Sequence, residues 1–260
     1  MKLSIVIPVF NSSDILEKLI QNIKDEIEIK LNNDFEIILV NDHSTDDSWI
    51  TILKLSRKYS FIKGIDLKYN IGQHSAIFVG LIFAKGSRLI TMDDDLQHPP
   101  SYLVKIYREL KNFDICYTSY TERKHLLWKI LVSNLNNFFS SLLFNKSYKI
   151  YLSSFRGFNC YVKNQIIKDK PKKVFLDSLI LKHSKKITSI QIIHQKRFKG
   201  ESNYDVKKLF TLWFDMIENF HLYPIRFGSL IGLVAFIFVK FFRSIKDRKN
   251  FHYSIRKKTF

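Results

Sequence analysis

Three adjacent carboxylates are the residues of this chain whose type and spacing most directly indicate chemistry. Asp93, Asp94 and Asp95 follow an apolar run at residues 88–92, which predicts a buried strand. Neighbouring carboxylates repel one another unless a positive charge lies among them, and oxygen ligands of this kind suit Mg²⁺ or Mn²⁺. Two prolines shortly after Asp95 end the strand and fix the exit of the loop. The alternative is a solvated acidic turn that begins the next helix.

The elements that must position these carboxylates alternate between strand and helix. Apolar, β-branched runs predict strands at 3–9, 35–40, 61–67, 88–92 and 113–118, and helical spacing of apolar residues predicts helices at 14–30, 46–59 and 75–85. This alternation predicts an α/β fold with a mostly parallel sheet covered on both faces. Ligands of such sheets bind outside the carboxyl ends of the strands. Polar residues follow four of the strands, at 11, 41–44, 70–73 and 93–97, so we expect one site there.

Composition limits the classes of partner. The 260 residues carry a net charge of +18, which fits an anionic membrane surface, a phosphorylated substrate or nucleic acid. Cys116 and Cys160 lie far apart, which predicts neither a disulfide framework nor a zinc site and favours a reducing compartment. The first residues enter a strand directly and lack the layout of a signal peptide.

Glycine-rich phosphate loops are missing from the first strand–helix connections. The sequence has no Walker-type loop, and no GxGxxG follows the first strand, which argues against a P-loop NTPase and a dinucleotide dehydrogenase. A nucleotide diphosphate held by a metal and by side chains is the better interpretation. Transfer of a sugar from a nucleotide-sugar fits that description.

Four segments, in order and spacing, resemble the family 2 inverting glycosyltransferases. They are IVIPVFN at 5–11, VNDHSTD at 40–46, NIGQHSA at 70–76 and MDDDLQHPP at 92–100. The acidic segment is similar to the subgroup that loads a sugar onto a polyprenyl phosphate, which includes dolichyl-phosphate mannose synthase and bacterial undecaprenyl-phosphate glycosyltransferases. The resemblance runs from residue 3 to about residue 235. It implies a GT-A (Rossmann-like) domain over residues 1–204 that uses a UDP- or GDP-sugar and an undecaprenyl or dolichyl phosphate acceptor.

The resemblance also implies roles at the donor site. Asp42 would contact the base, and the residues implied to bind the nucleotide-sugar with it are Pro8, Asn11, Asn70, Gln73, Asp93 and Asp94. Asp93, Asp95 and Gln97 match the metal and diphosphate positions, with Mg²⁺ or Mn²⁺ as the cofactor and Asp95 as a catalytic residue. Asp42 could instead be a helix cap or turn residue. Asn41 stands where an Asp is frequent, and His43 stands where a Gly is common, so the base stays open.

The second half is expected to supply the acceptor site. Arg123, Lys129 and Ser133 resemble the subgroup's binders of the lipid phosphate, and a bidentate Arg beside a hydroxyl suits a phosphomonoester. A solvated basic helix near the membrane is the alternative. Asp177 lies where family members often carry an Asp in the catalytic region, although a phosphate acceptor barely needs a base.

Residues 194–204 resemble the family segment H-x-x-R-x-x-G-x-S-x-Y, a mobile loop that closes over the diphosphate. Arg197 would then act in catalysis by neutralising charge on the leaving group, and the closed loop would exclude water. A plain basic loop is the alternative.

Membrane contact is expected in the last third of the chain. Residues 205–223 predict an amphipathic helix in the interface, 224–242 a membrane-inserting or transmembrane segment, and 243–260 a basic cytosolic tail. A single crossing would separate the tail from a cytosolic catalytic domain, which favours shallow insertion. We therefore expect a membrane protein with its catalytic domain on the cytoplasmic side, capable of forming homo-oligomers and without a nucleic-acid partner. The alternatives are the same fold acting on a glycan or other cell-envelope acceptor, or an inactive truncated copy that only binds membranes.

Overall fold

The fold is taken from a computed structural model that describes residues 1–120, 147, 150–169, 171, 174–193 and 251–260. Within them, strands and helices alternate through the first half, as the periodicity predicts. The elements in chain order are β1 Leu3–Val9, α1 Leu16–Ile27, β2 Phe35–Asn41, α2 Ser48–Lys58, β3 Ile62–Leu67, α3 Gln73–Phe83, β4 Arg88–Thr91, a 3₁₀ turn Pro100–Tyr102, α4 Leu103–Glu109, β5 Ile115–Tyr120, β6 Arg156–Asn159, α5 Cys160–Lys168, α6 Leu176–His183, β7 Ile187–Ile192 and β8 Ile255–Lys258.

The described strands form one sheet in the order β7-β5-β6-β4-β1-β2-β3-β8. The pairs β1/β2, β1/β4, β2/β3 and β5/β7 are parallel, whereas β6 and β8 run antiparallel to their neighbours. The prediction of an α/β fold with a mostly parallel sheet is therefore confirmed. Because β1 to β4 are parallel, their carboxyl ends all reach the same edge of the sheet.

Both faces of the sheet are covered, which explains why β1 and β2 read as continuous apolar runs. Every residue of these two strands is buried. Successive side chains point to opposite faces: Ile5 and Ile7 pack in the core with α1, α2 and α4, and Val6 packs in the core with α3, α5 and α6. The two cores hold the strands rigidly, so the loops at their carboxyl ends start from fixed positions.

The chain returns to this sheet near its last residue. The sequence predicts a basic tail over residues 243–260, but residues 251–260 belong to the domain, because β8 pairs antiparallel with β3. Phe251 packs edge-on against Phe78 of α3, with 5.4 Å between the ring centroids. The pairing covers the row of backbone groups that β3 would otherwise expose at the edge of the sheet.

Residues 205–223 and 224–242, predicted to contact the membrane, lie outside the described residues. Among the helices that are described, none combines the length and the apolar character needed to cross a bilayer.

Candidate active site

The loops after β1 and β2 are tied together at the carboxyl edge of the sheet. The Asn11 amide N–H donates to Ser44 Oγ at 3.0 Å, and Asn11 Oδ1 accepts from the Thr45 amide at 2.9 Å. Asn11 has a φ of 55°, a left-handed conformation that Asn tolerates better than most residues. Pro8 lies buried in β1 beyond Val6, the last residue of β1 that pairs with β4. Asn11 therefore serves as a junction between two loops of the predicted site.

Asp42 joins the loop after β2 to the loop after β3. Its carboxylate is buried, and its two oxygens accept from the backbone N–H groups of Ile71 at 2.8 Å and Gly72 at 2.9 Å. The Asn70 side chain adds a bond to the Asp42 carbonyl at 3.1 Å. Burial raises the pKa of Asp42, although the hydrogen bonds from the Ile71 and Gly72 backbone oppose the shift. The carboxylate thus holds the turn that begins α3. His43, which stands where a Gly is common in the family, has a φ of 59° in the left-handed region.

The three adjacent carboxylates turn in different directions. Asp93 Oδ1 accepts from Gln73 Nε2 at 2.5 Å, and its Oδ2 accepts from Ser154 Oγ at 2.8 Å. Asp95 Oδ1 accepts from the Gln97 backbone N–H at 3.1 Å, a bond within the acidic loop. Asp93 is therefore fixed from α3 and from the segment before β6, whereas Asp95 is oriented by its own turn.

Asp94, the middle carboxylate, points back to the loop after β1. Its Oδ2 accepts from Ser12 Oγ at 2.5 Å and from the Phe10 backbone N–H at 3.1 Å. Burial, with a smaller contribution from the charges of Asp93 and Asp95, raises the pKa of Asp94 to about 6 although both hydrogen bonds oppose the shift. Asp94 therefore fastens the acidic loop to the loop after β1.

His98 supports the acidic loop through its side chain. It is buried, and its Nδ1 accepts from the Asp93 backbone N–H at 3.0 Å. Its ring stacks on Phe155 with 4.9 Å between the centroids. Leu96 lies between Asp94 and His98 in the chain and has a φ of 63°, which is strained for a non-glycine residue. The conformation persists because the contacts of Asp94 and His98 hold the loop on either side of it.

The predicted metal ligands Asp93, Asp95 and Gln97 lie within one loop. No group of three or more His, Cys, Asp or Glu side chains is arranged to hold a metal ion in the described part of the chain. The candidate donors are all oxygens, and one or two carboxylates together with substrate phosphates are a usual way for proteins to hold Mg²⁺. The residues present therefore fit a cation shared with a diphosphate and do not fit a cage built by the protein alone.

Asp177 lies in a buried cluster that the sequence does not predict. It forms an ion pair with Arg156 of β6 and accepts from the Tyr117 hydroxyl at 2.9 Å. Arg156 is almost fully buried, and its Nε and Nη2 have no hydrogen-bond partner among the described residues. Burial, followed by the charge of Asp177, raises the pKa of Tyr117 well above its usual range. The Asp177 carboxylate balances the buried Arg156 guanidinium.

The predicted site residues also omit Ser154 and His98, which both form hydrogen bonds with Asp93. A sequence signal for Arg156 exists, since this charged residue lies between the aromatic residues Phe155 and Phe158. Of the predicted catalytic and acceptor residues, Arg123, Lys129, Ser133 and Arg197 lie outside the described residues. The structure brings together the predicted residues that follow β1 to β4.

Comparison with known proteins agrees with this geometry. The profile described as Glycosyl transferase family 2 matches residues 4–167. A relative from Yersinia enterocolitica, named undecaprenyl-phosphate 4-deoxy-4-formamido-L-arabinose transferase, is 30% identical over 235 residues, which are 90% of this chain and 72% of that protein. The protein of the same name from Klebsiella pneumoniae is 28% identical over 243 residues, covering 91% and 74%.

Solved structures show the same fold at low sequence identity. Glucosyl-3-phosphoglycerate synthase from Mycobacterium tuberculosis, crystallised with Mn²⁺, UDP and phosphoglyceric acid, superposes with a TM-score of 0.59 and 14% identity, covering 84% of this chain and 78% of that one. TarS from S. aureus, in complex with UDP-GlcNAc, gives a TM-score of 0.57 and 18% identity, with coverages of 84% and 66%. The fold is GT-A-like, the resemblance seen in the four sequence motifs is confirmed, and the chain belongs to glycosyl transferase family 2.

Proposed function

We propose that this glycosyltransferase moves a sugar, with inversion, from a nucleotide-sugar to a polyprenyl phosphate such as undecaprenyl or dolichyl phosphate. The observation that carries the proposal is the meeting of four loops at the carboxyl edge of the sheet, which places Asp42 and the turn at 70–73 beside the acidic loop. The relatives named as undecaprenyl-phosphate transferases match 90% or more of the chain, which supports the choice of acceptor.

The donor nucleotide would bind over the loops after β1, β2 and β3. Asp42 would face the base of a UDP- or GDP-sugar, with Pro8 and Asn11 beside it. Both Asp42 oxygens already accept one backbone N–H each, so a contact with the base would use the remaining lone pairs. Asn70 and Gln73 are exposed at the same edge and would approach the ribose and diphosphate.

The diphosphate would lie over the acidic loop. Asp93, Asp95 and Gln97 would hold Mg²⁺ or Mn²⁺ there, and the Mn²⁺ and UDP in the complex of glucosyl-3-phosphoglycerate synthase support this assignment. When bound, such a cation stabilises negative charge on a departing nucleoside diphosphate. Among this chain's own residues, Asp94 keeps the loop in place, and we assign Arg197 to the neutralisation of the leaving group.

The acceptor would be a phosphate anion whose oxygen attacks the anomeric carbon directly. We assign Arg123, Lys129 and Ser133 to its binding. A phosphate is already ionised near neutral pH, so little help from a base is needed. The contacts of Asp177 with Arg156 and Tyr117 favour a supporting role for this carboxylate over proton abstraction.

Membrane attachment through residues 205–242 completes the proposal, with the catalytic domain on the cytoplasmic side. The two ends of the intervening stretch are Ile193, directly after β7, and Phe251, shortly before β8, and β7 and β8 are strands of one sheet. Both ends therefore lie on one side of any membrane. This supports a shallow insertion of residues 224–242, because a single crossing would separate β8 from its sheet.

The test is release of nucleoside diphosphate from a panel of nucleotide-sugars, with Mg²⁺ or Mn²⁺, with and without undecaprenyl phosphate. Release that requires both the lipid phosphate and the metal, and that is lost in Asp95→Ala, is the expected result. Asp25→Ala changes an exposed carboxylate on α1 and serves as the matched control. Turnover without a lipid phosphate would redirect the proposal to a glycan or other acceptor, and a folded chain inactive with every donor would contradict it.

A further inference from the structure

The last described segment is a full member of the sheet. Beyond the strand pairing itself, the Lys68 amide donates to the Ser254 carbonyl at 2.9 Å, and the Thr259 amide donates to the Gly64 carbonyl at 3.1 Å. The ladder between β3 and β8 therefore continues past both ends of β8. Main-chain hydrogen bonds therefore fix the position of β8 along its whole length, and with it the positions of its side chains.

Arg256 occupies an irregular position in this ladder. Asp66 lies opposite Lys257, but Leu67 lies opposite Ile255, so Arg256 is the extra residue of a β-bulge. A bulge redirects the side chain of the strand that carries it. Here Arg256 Nε donates to Asp66 Oδ2 at 2.6 Å, which places a guanidinium on a carboxylate within the sheet.

Asp66 connects Arg256 to Asn41 at the end of β2. Its carboxylate is completely buried, and a buried carboxylate is costly unless it is paired and hydrogen-bonded. Its second oxygen, Oδ1, accepts from Asn41 Nδ2 at 2.8 Å, and Asn41 is the register partner of Asp66 on β2. Asp66 thereby fixes which way the Asn41 amide points, with the NH₂ group toward β3 and the oxygen toward the loop.

The Asn41 oxygen faces the loop that leads into the donor site. It accepts from the Ser44 backbone N–H at 3.4 Å, and Ser44 Oγ accepts from the Asn11 amide at 3.0 Å. Asp42, next in the chain, holds the turn at residues 71–72. The orientation of the Asn41 amide is therefore linked to every loop at which we place the nucleotide.

We propose that Arg256, at the far end of the chain, is a positioning residue for the donor nucleotide, acting through Asp66 and Asn41 on the loop at residues 41–44. The proposal rests on the proposed function, which assigns the nucleotide to that loop. Without the guanidinium, the buried Asp66 carboxylate keeps Asn41 as its one side-chain partner among the described residues, and the edge of the sheet must rearrange to hydrate it. The nucleotide pocket then loses part of its preorganisation, which weakens binding without removing any group that touches the ligand.

The first measurement is the affinity of the full chain in lipid nanodiscs for UDP and for GDP, with Mn²⁺, by calorimetry. Arg256→Gln is expected to weaken the affinity for whichever nucleotide binds by about tenfold. It should raise the KM for the nucleotide-sugar and leave kcat nearly unchanged. Lys257→Gln makes the same change of charge one residue along the strand and is expected to bind as the wild type does. Equal affinities for Arg256→Gln and wild type would overturn the proposal.

A second pair of variants tests the route through Asp66. In an Asp66→Asn background the buried charge is gone, so adding Arg256→Gln is expected to cost little further affinity. Losses that simply add would show that Arg256 acts by another path and would overturn the proposal. A lower melting temperature with an unchanged nucleotide Kd would mark a purely structural role and would overturn it as well.

Hydrogen exchange tests the same link in the wild-type chain, so the result does not depend on whether a variant folds. Coupling between two sites is reciprocal, so nucleotide binding is expected to slow exchange at the amides of 255–258 as well as at 41–44. Protection of 41–44 alone would overturn this inference and leave the proposed function standing. A wild-type chain that binds neither nucleotide would overturn both.

Discussion

At the residue scale, the acidic loop is organised by its neighbours more than by its own three carboxylates. Gln73 and Ser154 donate to the two Asp93 oxygens and determine where they point, and His98 accepts from the Asp93 backbone N–H. Groups that orient a metal ligand without touching the metal commonly change its affinity by about 10- to 100-fold. The orientation of Asp93 can therefore be tested without replacing any proposed ligand.

Ser154→Ala removes the donor to Asp93 Oδ2. We expect the Mn²⁺ concentration for half-maximal nucleoside diphosphate release to rise by about tenfold, because Asp93 is then free to turn. The metal dependence of release from the nucleotide-sugar measures this. Ser56→Ala removes a half-buried hydroxyl that donates to the Leu53 carbonyl within α2, and it should leave the metal requirement unchanged. An unchanged metal requirement in Ser154→Ala would contradict the role given to Ser154.

Asp177→Asn addresses the buried Arg156. Breaking a buried ion pair by removing one partner typically costs about 3–5 kcal/mol, because the other charge stays buried. Tyr117→Phe, which removes a single hydrogen bond to the same carboxylate, should cost about 1 kcal/mol. Urea unfolding of the full chain measures both. A stable Asp177→Asn variant with a large loss of kcat would instead indicate a catalytic role for Asp177, at the position where family members often carry an Asp.

At the element scale, β2 carries a second charged group far from the site. Glu36 is buried and accepts from Ser4 Oγ at 2.6 Å, Lys63 Nζ at 2.5 Å and the Lys85 amide at 2.7 Å. Burial acts to raise the pKa of Glu36, but the hydrogen bonds from Lys63, Ser4 and Lys85 outweigh it and lower the pKa below its ordinary value of 4.5. The group joins β1, β2 and β3 where these strands begin.

Because the folded pKa of Glu36 is lowered, the stability it supplies is present above pH 4.5 and is lost as the pH falls through the folded pKa. Glu36→Gln is therefore expected to lower the free energy of unfolding at pH 7 by about 1–3 kcal/mol. The difference from wild type should shrink as the pH falls below 4.5. Urea unfolding at several pH values checks this, with Glu17→Gln at an exposed position of α1 as control. A difference independent of pH would contradict the assignment.

The elements that sequence periodicity predicts are those with long apolar runs. β1 to β5 and α1 to α3 occur close to their predicted positions, and the polar loops after β1 to β4 converge as parallel strands require. β6 has four residues and includes Arg156, and β8 reads Ile-Arg-Lys-Lys, which resembles a solvated tail. β8 forms a strand because it pairs with the edge strand β3. The two strands are far apart in the sequence, so the local pattern of residues 255–258 does not predict the pairing. The supports from Ser154 and Arg156 depend on β6 inserting between β4 and β5, which local pattern does not reveal.

At the scale of the whole molecule, the sheet limits how the membrane attachment that we propose can be arranged. The net charge of +18 fits an anionic lipid surface, and the sheet contains strands from both sides of residues 194–250. Because β7 and β8 are strands of one sheet, the chain between them cannot cross a bilayer an odd number of times. This constraint would also hold if β8 paired with a second copy in the same membrane, because both copies share one orientation.

Cysteine labelling tests that constraint directly. In a background with Cys116→Ala and Cys160→Ala, single cysteines are placed at Ile29, an exposed position on the catalytic domain, and at His252, an exposed position just before β8. Both are expected to react with a membrane-impermeant maleimide in inside-out vesicles and to be protected in intact cells, since the sheet places them on one side and we propose that this side is cytoplasmic. The cysteine-free chain controls for background labelling. Reaction of the Ile29 and His252 positions from opposite sides would require an odd number of crossings, and would then exclude β8 from the sheet in the membrane-bound protein.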